Sequence, residues 1–292
     1  MIPAKQPIPG PINPPPSKES ELLGLVLRVG LFVLIVILGS ILLPYLLIPL
    51  VELYAGSVLT VFITGAVANT IAYRIWERGT LFDAGFEWTG GSRRNLIFGI
   101  GFGVASAVLV MLLLTIAGQV KFERTGSISW SSLLFVSVAL MFGAVGEEMM
   151  FRGYGFQMMA SKIGPYATLM PMAMLFGFLH MGNLNATFVS LINTVGWGLL
   201  LGYAVLRTRG LWLAIGIHYG WNWTLPLFGA PLSGFKMSVV GMRAEEAQTV
   251  WGGGAYGPEG SLLLTLLLPV LFYVVHKAPL AKQDALLLRN LD

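Results

Sequence analysis

The chain contains no cysteine and few charged residues, and these shortages exclude several classes of protein. Without cysteine it can form neither a disulfide bond nor a thiolate nucleophile. Only 11% of the 292 residues are charged, 55% are hydrophobic and the mean hydropathy is +0.76, which excludes an ordinary soluble domain. The composition therefore predicts a polytopic membrane protein.

Apolar runs long enough to cross a bilayer recur along the chain. A hydrocarbon core of about 30 Å needs about 20 helical residues, and runs near that length lie at 29–51, 57–74, 95–118, 129–150, 165–182, 186–206, 210–228 and 260–276. The predicted fold is all-α, a membrane helix bundle of about eight transmembrane helices. We expect the helix at 129–150 to continue past Arg152, because nothing breaks it before Gly164-Pro165, where a hairpin should form.

The basic residues predict the orientation of these spans. With the N-terminus inside, all but four of the 18 Lys and Arg residues fall on the inner side, and the outer four are Lys121, Arg124, Lys236 and Arg243. Because basic residues collect on the cytoplasmic side, we expect a multi-pass protein of the cell membrane with both termini cytoplasmic. The net charge of +4 then reflects this bias, and no nucleic-acid partner is expected.

The segments outside the spans are less informative. Residues 1–21 carry seven prolines and read as a disordered cytoplasmic tail, and no signal peptide is evident. Residues 229–259 form the longest non-spanning segment, which is either a lid or substrate-docking surface or a mobile connector. The run Gly99-Ile-Gly-Phe-Gly103 lies within an apolar helix, and no strand precedes it. It therefore predicts close helix packing and not a phosphate-binding loop. The run Gly198-Leu-Leu-Leu-Gly202 also predicts close helix packing.

Two adjacent acids lie deep inside an apolar run, in the sequence Glu147-Glu148-Met-Met-Phe-Arg152. An acid in hydrocarbon costs roughly 2.5–3.5 kcal/mol on insertion scales and therefore marks a functional site. Side chains four apart share a helix face, so Glu148 and Arg152 are expected to form a structural ion pair. Glu147 points about 100° away, without a cation in its own motif, which favours acid/base chemistry.

Two further patterns add imidazoles and an amide, Phe176-Gly-Phe-Leu-His180 and His218-Tyr-Gly-Trp-Asn222. Glu147 lies 17 residues before Gly164 and His180 lies 16 after it, so both should sit at the same level of the predicted hairpin. His218 and Asn222 project from one face of a third helix. Asn193 either lines the same site or bonds across helices, and we favour the second role.

The order EExxxR, FxxxH, HxxxN in successive membrane segments resembles the CAAX protease and bacteriocin-processing family, also called the ABI family, of intramembrane glutamic endopeptidases, which includes CAAX prenyl protease 2. The resemblance covers residues 129–228, and the Gly-rich loop that ends at Gly260 is similar to bacterial members. It implies a protease domain over 22–277, flanked by tails at 1–21 and 278–292. The implied substrate is a membrane-associated protein or peptide, in CAAX-type C-terminal processing or in bacteriocin or peptide processing.

The resemblance also implies a role for each motif residue. Glu147 and His180 would activate a water molecule, while His218 and Asn222 would stabilise the oxyanion of the tetrahedral intermediate. The side chains that would hold these in place are Glu148, Arg152 and Phe176. Such an enzyme needs no cofactor.

Two alternatives remain open at this point. Glu147, His180 and His218 are also ligand types for zinc, although the sequence lacks a His-Glu-x-x-His helix and Arg152 would oppose a cation. Serine and aspartyl chemistry are disfavoured, since there is no Gly-x-Ser-Gly element and no Asp in a predicted span. The protein could instead be a non-enzymatic scaffold, immunity protein or transporter that uses Glu147 in a proton relay, although no internal repeat is visible.

Overall fold

The computed structural model describes residues 18–237 and 239–291, and helices dominate them. The helices are α1 (Lys18–Val51), α2 (Leu53–Ala72), α3 (Gly90–Ile116), α4 (Trp130–Arg152), α5 (Tyr154–Ile163), α6 (Pro165–His180), α7 (Phe188–Thr208), α8 (Trp212–Leu227) and α9 (Leu262–Lys277). Two strands, β1 (Val120–Arg124) and β2 (Met242–Glu246), pair antiparallel. Residues 1–17 of the predicted tail lie outside the described part, and α1 begins at Lys18.

Each of the eight predicted apolar segments contains a helix, which confirms the all-α membrane fold. Within the described residues, five helical stretches are long and apolar enough to cross a bilayer: Glu19–Val51, Leu53–Glu77, Gly90–Ile116, Trp130–Ile163 and Phe188–Thr208. The helices α6, α8 and α9 have 16 residues each, about 24 Å at 1.5 Å per residue. They are therefore shorter than a 30 Å hydrocarbon core, and they pack among the longer ones.

The prediction of an unbroken helix past Arg152 is wrong at one residue, Gly153. Its backbone leaves the helical region, with φ −76° and ψ −143°, and separates α4 from α5. The side chain of Asn69 takes over the broken backbone pairing: its amide donates to the Met149 carbonyl at 2.9 Å, and its oxygen accepts from the Tyr154 N–H at 2.7 Å. A Cβ at position 153 would collide with Asn69, so only glycine fits this junction.

Glycines bring α3 and α8 into backbone contact, as the Gly99 and Gly103 spacing predicts. A Cβ on Gly99 would lie 2.6 Å from the Leu213 carbonyl, and one on Gly103 would strike the Ile217 carbonyl. Two glycines of α8, Gly216 and Gly220, face α3 in the same way. Because small residues permit close approach of helices in lipid, this pair forms a rigid support for the residues that α8 carries.

The connecting segments gather at the two ends of the bundle. At one end β1 and β2 join the segment before α4 to the segment between α8 and α9. At the other end the residues after α9 pack against the α7–α8 connection, where Ala285 N–H donates to the Arg209 carbonyl and Leu288 is buried. The predicted outer basic residues Lys121, Arg124 and Arg243 all lie in the two strands.

Candidate active site

A cavity of about 650 Å³ lies among α2, α4, α6, α7 and α8. The segment 229–259 contributes to it through Leu232, Ser233, Phe235 and Met237, which we call the roof segment. The long connector between α8 and α9 is therefore part of the cavity wall. Most of the wall is apolar, so the few polar side chains that face it carry its chemistry.

Glu148 is sealed away from this cavity by its partners. Its side chain is fully buried, and its Oε1 accepts from Arg152 Nη1 at 3.1 Å and from His218 Nδ1 at 2.9 Å. Arg152 also donates from Nη2 to the Gly198 carbonyl at 3.2 Å, and its guanidinium lies 4.5 Å from the Phe176 ring centroid. The expected ion pair is therefore present, and it joins α4 to α6, α7 and α8.

Glu147 faces the cavity instead, as the 100° rotation between adjacent helical residues requires. Its side chain is 28% exposed, against 0% for Glu148. The Oε2 atom lies 3.9 Å from His180 Nε2 and 3.9 Å from His218 Nε2, and no group of the described residues donates a hydrogen bond to it. One carboxylate oxygen thus stands between two imidazole nitrogens, and the hairpin registration that brings Glu147 and His180 together is confirmed.

The other nitrogen of each imidazole is held by an acceptor, which sets the tautomer. His180 Nδ1 lies 2.7 Å from the Phe176 carbonyl, an oxygen that only accepts, so Nδ1 carries the hydrogen. His218 Nδ1 likewise donates to the Glu148 carboxylate. In their neutral forms both imidazoles therefore present a lone pair at Nε2 toward Glu147. Phe176 packs beside His180 with ring centroids 4.4 Å apart, as its position one turn earlier predicts.

The two asparagines have different surroundings. Asn222 lines the cavity from α8, one turn after His218, which agrees with its predicted place. Asn193 instead donates to the carbonyls of Glu259 and Ser261 at 2.8 and 2.9 Å and accepts from Thr265 Oγ1 at 2.7 Å. The prediction that Asn193 bonds across helices is confirmed.

Sequence reasoning missed one acid in the cavity wall, Glu259. It precedes α9 in a Gly-rich segment that gives no helical pattern, and its burial depends on the folding of that segment. Its Oε1 accepts from Trp221 Nε1 at 3.0 Å, and its Oε2 accepts from Ser233 Oγ at 3.0 Å and from Ser233 N–H. Trp221 also lines the cavity and lies against Trp197, with ring centroids 4.7 Å apart.

The spacing of Glu147, His180 and His218 bears on the zinc alternative. Within the described ranges, no group of three or more His, Cys, Asp or Glu residues is arranged to hold a metal ion. The 3.9 Å separations of Glu147 from His180 and His218 exceed the roughly 3.3 Å between neighbouring ligand atoms that bonds of about 2.0–2.1 Å imply around tetrahedral zinc.

Comparison with known proteins bears on one segment of the chain. Residues 128–224 match a family model described as type II CAAX prenyl endopeptidase Rce1-like. This segment contains all three motifs, from Glu147 to Asn222. No curated protein and no solved structure matches the chain. The family implies a protease embedded in the membrane, and the match confirms the resemblance to CAAX proteases that the three motifs indicate.

Proposed function

We propose that the protein is an intramembrane endopeptidase that hydrolyses a peptide bond of a membrane-associated protein or peptide. The observation that carries this proposal is the position of Glu147 Oε2, 3.9 Å from the Nε2 atoms of both His180 and His218 in a largely apolar cavity. A water molecule that bonds to the carboxylate and to an imidazole at about 2.8 Å each fits this separation.

Glu147 and His180 together act as the general base for that water. Since His180 Nδ1 is committed to the Phe176 carbonyl, its Nε2 accepts a proton as the water attacks the substrate carbonyl. The Glu147 carboxylate accepts the other hydrogen bond and orients the attacking lone pair. Proton transfer by a positioned side chain contributes about 10²–10⁴-fold to a rate, and the proton then passes to the leaving amine.

His218 and Asn222 stabilise the oxyanion. His218 Nδ1 donates to Glu148, so Nε2 can donate to an oxyanion only when the ring is protonated. Glu147 and Glu148 together balance the charges of that imidazolium and of Arg152. Asn222 supplies a neutral N–H from the same helix face. Preset donors in a water-poor site are worth about 10²–10³ in kcat each.

Glu148, Arg152 and Phe176 are positioning residues in this scheme. The Glu148–Arg152 pair fixes the end of α4 against α8 through His218 and against α7 through the Gly198 carbonyl. Phe176 supplies the carbonyl that orients His180 and the ring that packs against it. No cofactor enters any step, and the lipid bilayer delivers the substrate. We place the enzyme in the cell membrane with both termini cytoplasmic, on the distribution of basic residues.

The test compares membrane peptides from cells that express the wild type, Glu147→Gln or Glu87→Gln. Glu87 is an exposed acid that does not line the cavity, so Glu87→Gln serves as the matched control. We expect one or more cleaved peptides to disappear with Glu147→Gln alone, while both variants accumulate as folded protein. Cleavage that survives Glu147→Gln would exclude the proposed mechanism.

Kinetics of the purified enzyme test the oxyanion role of Asn222. Asn222→Ala should lower kcat by about 10²-fold with little change in KM, because the oxyanion forms only in the transition state. A non-enzymatic scaffold or immunity protein would keep its cellular effect in Glu147→Gln cells, and that result would favour the rival class.

A further inference from the structure

Strand β1 leaves one edge of the two-stranded sheet without a partner. Thr125 N–H donates to the Gly241 carbonyl, and Ala247 N–H donates to the Gln119 carbonyl. Because bonded positions alternate along an antiparallel ladder, the backbone groups of Phe122 point away from β2. Among the described residues, no hydrogen bond reaches Phe122 from that side. An open edge of this kind is a surface on which another strand can pair.

The opposite edge of the sheet is already occupied. Ala244 N–H in β2 donates to the Gly229 carbonyl at 3.0 Å, which ties this edge to the chain just after α8. In β1, by contrast, the residues from Lys121 to Arg124 are all exposed. The edge of β1 is therefore the one that is available to a second chain.

The sheet lies flat on one end of the helix bundle. Alternate side chains of a strand point to opposite faces, and every position of one face is charged and exposed: Lys121, Glu123, Arg243 and Glu245. On the other face Val120 and Ala244 are buried, and the Phe122 ring centroid lies 6.1 Å from that of Phe228 at the end of α8. The plane of the sheet is therefore roughly parallel to the membrane, with its charged face toward water.

This orientation suits a symmetric pair of copies. Two identical strands that meet edge to edge in antiparallel fashion are related by a two-fold axis perpendicular to the sheet. Two copies with the same topology in one bilayer are related by an axis along the membrane normal. Because the sheet is parallel to the membrane, the two axes coincide. The edge of β1 can therefore pair with β1 of a second copy while both helix bundles remain upright.

The β1 sequence Val-Lys-Phe-Glu-Arg is complementary to itself in one register. With Phe122 opposite Phe122 of the second copy, Lys121 of each copy is opposite Glu123 of the other. The outward-pointing backbone groups of the two Phe122 residues then exchange hydrogen bonds. A register centred on Lys121 or on Glu123 places like charges opposite each other, which is unfavourable. The register centred on Phe122 also overlaps the whole strand, so charge and length select the same arrangement.

We propose that the protein forms a symmetric homodimer in the membrane through β1, so that two two-stranded sheets join into one. The Phe122 backbone groups pair at the axis, and a Lys121–Glu123 pair lies on either side of it. Glu123 also accepts from Arg243 Nη2 of its own chain at 2.5 Å, which holds the carboxylate on the charged face. This interaction surface is independent of the proposed hydrolytic function.

Cysteine cross-linking tests the register, because the chain has no cysteine of its own. Residues opposite each other at a non-bonded position have Cα atoms about 4.5 Å apart, which a disulfide bond can span. Differently tagged Lys121→Cys and Glu123→Cys copies, co-expressed as full-length protein, should therefore form a covalent heterodimer when the membranes are mildly oxidised. Glu123→Cys with Thr125→Cys is the matched control, since those positions lie about 14 Å apart in this register.

Charge variants test the two ion pairs that flank the axis. Lys121→Glu alone and Glu123→Lys alone should each weaken dimerisation at least about tenfold, because both pairs become like-charged. An equal mixture of these two variants should restore the wild-type affinity, since opposite charges face each other in the mixed dimer. Lys282→Glu, the same change at an exposed residue outside the sheet, should have no effect.

Energy transfer between copies that carry donor or acceptor dyes at the N-terminus measures the dissociation constants. The full-length protein is placed in phosphatidylcholine vesicles, and the protein-to-lipid ratio is varied. We expect the wild type to be dimeric over most of this range. The proposal is overturned if the wild type stays monomeric, if Lys121→Glu leaves the dimer unchanged, or if the mixture restores nothing. Cross-linking of the control pair in place of the test pair also overturns it.

An extended substrate segment is the other possible occupant of the β1 edge. A monomeric wild type, in which Lys121→Glu raises the KM for a cleaved peptide, would assign the edge to substrate and overturn the dimer. Glu123→Lys places a second cation beside Arg243. Should that variant not fold, Lys121→Glu and the cysteine pair decide the question.

Discussion

Replacing Arg152 with methionine should destabilise the protein by several kcal/mol. Arg152 is 3% exposed and Glu148 is fully buried, with 3.1 Å between them. Methionine keeps much of the side-chain length but removes the positive charge. Glu148 would then keep only His218 as a partner, and its second oxygen already has no donor among the described residues.

The size of the stability loss follows from the Glu148 carboxylate that Arg152→Met leaves without its cation. Breaking a buried ion pair by removing one partner costs about 3–5 kcal/mol, because the remaining charge stays in a medium of low dielectric. The lost bond to the Gly198 carbonyl adds about 1 kcal/mol. Removing both charges, in Glu148→Gln with Arg152→Met, leaves no isolated charge. We therefore expect the double variant to be more stable than Arg152→Met by about 2 kcal/mol or more.

Denaturant titration of the purified protein in mild detergent, followed by tryptophan fluorescence, measures these differences. Lys162→Met is the control, since Lys162 is exposed, and it should stay within about 0.5 kcal/mol of the wild type. The reasoning is refuted if Arg152→Met lies within 1 kcal/mol of the wild type, or if the double variant loses the sum of the two single losses.

Three other predictions use separate features. Chelators should leave peptide cleavage intact, and zinc-dependent recovery of a chelated enzyme would instead establish a metalloprotease. Burial raises the pKa of Glu246 to about 7, so the folded state favours the neutral acid and stability falls as pH rises from about 4.5 to 7. Glu246→Gln should accordingly stabilise by at most about 3 kcal/mol at pH 8 and give nothing below pH 4; an equal gain at both pH values would contradict this. Gly103→Leu should prevent folding by forcing α3 from α8, whereas Gly101→Leu, which meets nothing within 4 Å, should yield protein with a near-native melting temperature.

Much of the site could be predicted from local spacing, because in a helix the number of residues between two side chains determines the angle between them. Four-residue spacing predicts the Glu148–Arg152 pair, and adjacency predicts that Glu147 faces elsewhere. Nearly equal distances from Gly164 predict that Glu147 and His180 meet, and Glu147 Oε2 lies 3.9 Å from His180 Nε2. The break at Gly153 escaped prediction because the Asn69 side chain, which pairs with the backbone groups that the break leaves free, lies on another helix.

Nonlocal pairing explains the features that spacing could not predict. The two strands alternate apolar and charged residues, Val-Lys-Phe-Glu-Arg in β1 and Met-Arg-Ala-Glu-Glu in β2. Each has only five residues, and so short an alternation does not indicate which distant segment a strand pairs with. The same holds for Glu259. Its acceptors are filled by Trp221 and Ser233, from two segments that meet only after the helices have packed.

The sheet also bears on the side of the membrane from which the site is reached. Lys121, Arg124 and Arg243 lie in the strands, and Lys236 lies in the roof segment. These four are the basic residues that the positive-inside rule assigns to the outer face. The roof of the cavity thus belongs to the cation-poor end of the bundle. The positive-inside rule therefore predicts that cleavage takes place in the outer half of the membrane.

The absence of cysteine makes this orientation directly measurable. Thr125→Cys places one thiol beside β1, and Ser161→Cys places one in α5, near the end where the C-terminal residues pack; both positions are exposed. A membrane-impermeant maleimide should label Thr125→Cys in intact cells and Ser161→Cys only after permeabilisation. The reverse pattern would put the roof segment in the cytoplasm. Charge would then not determine the topology, and substrates would enter from the cytoplasmic side.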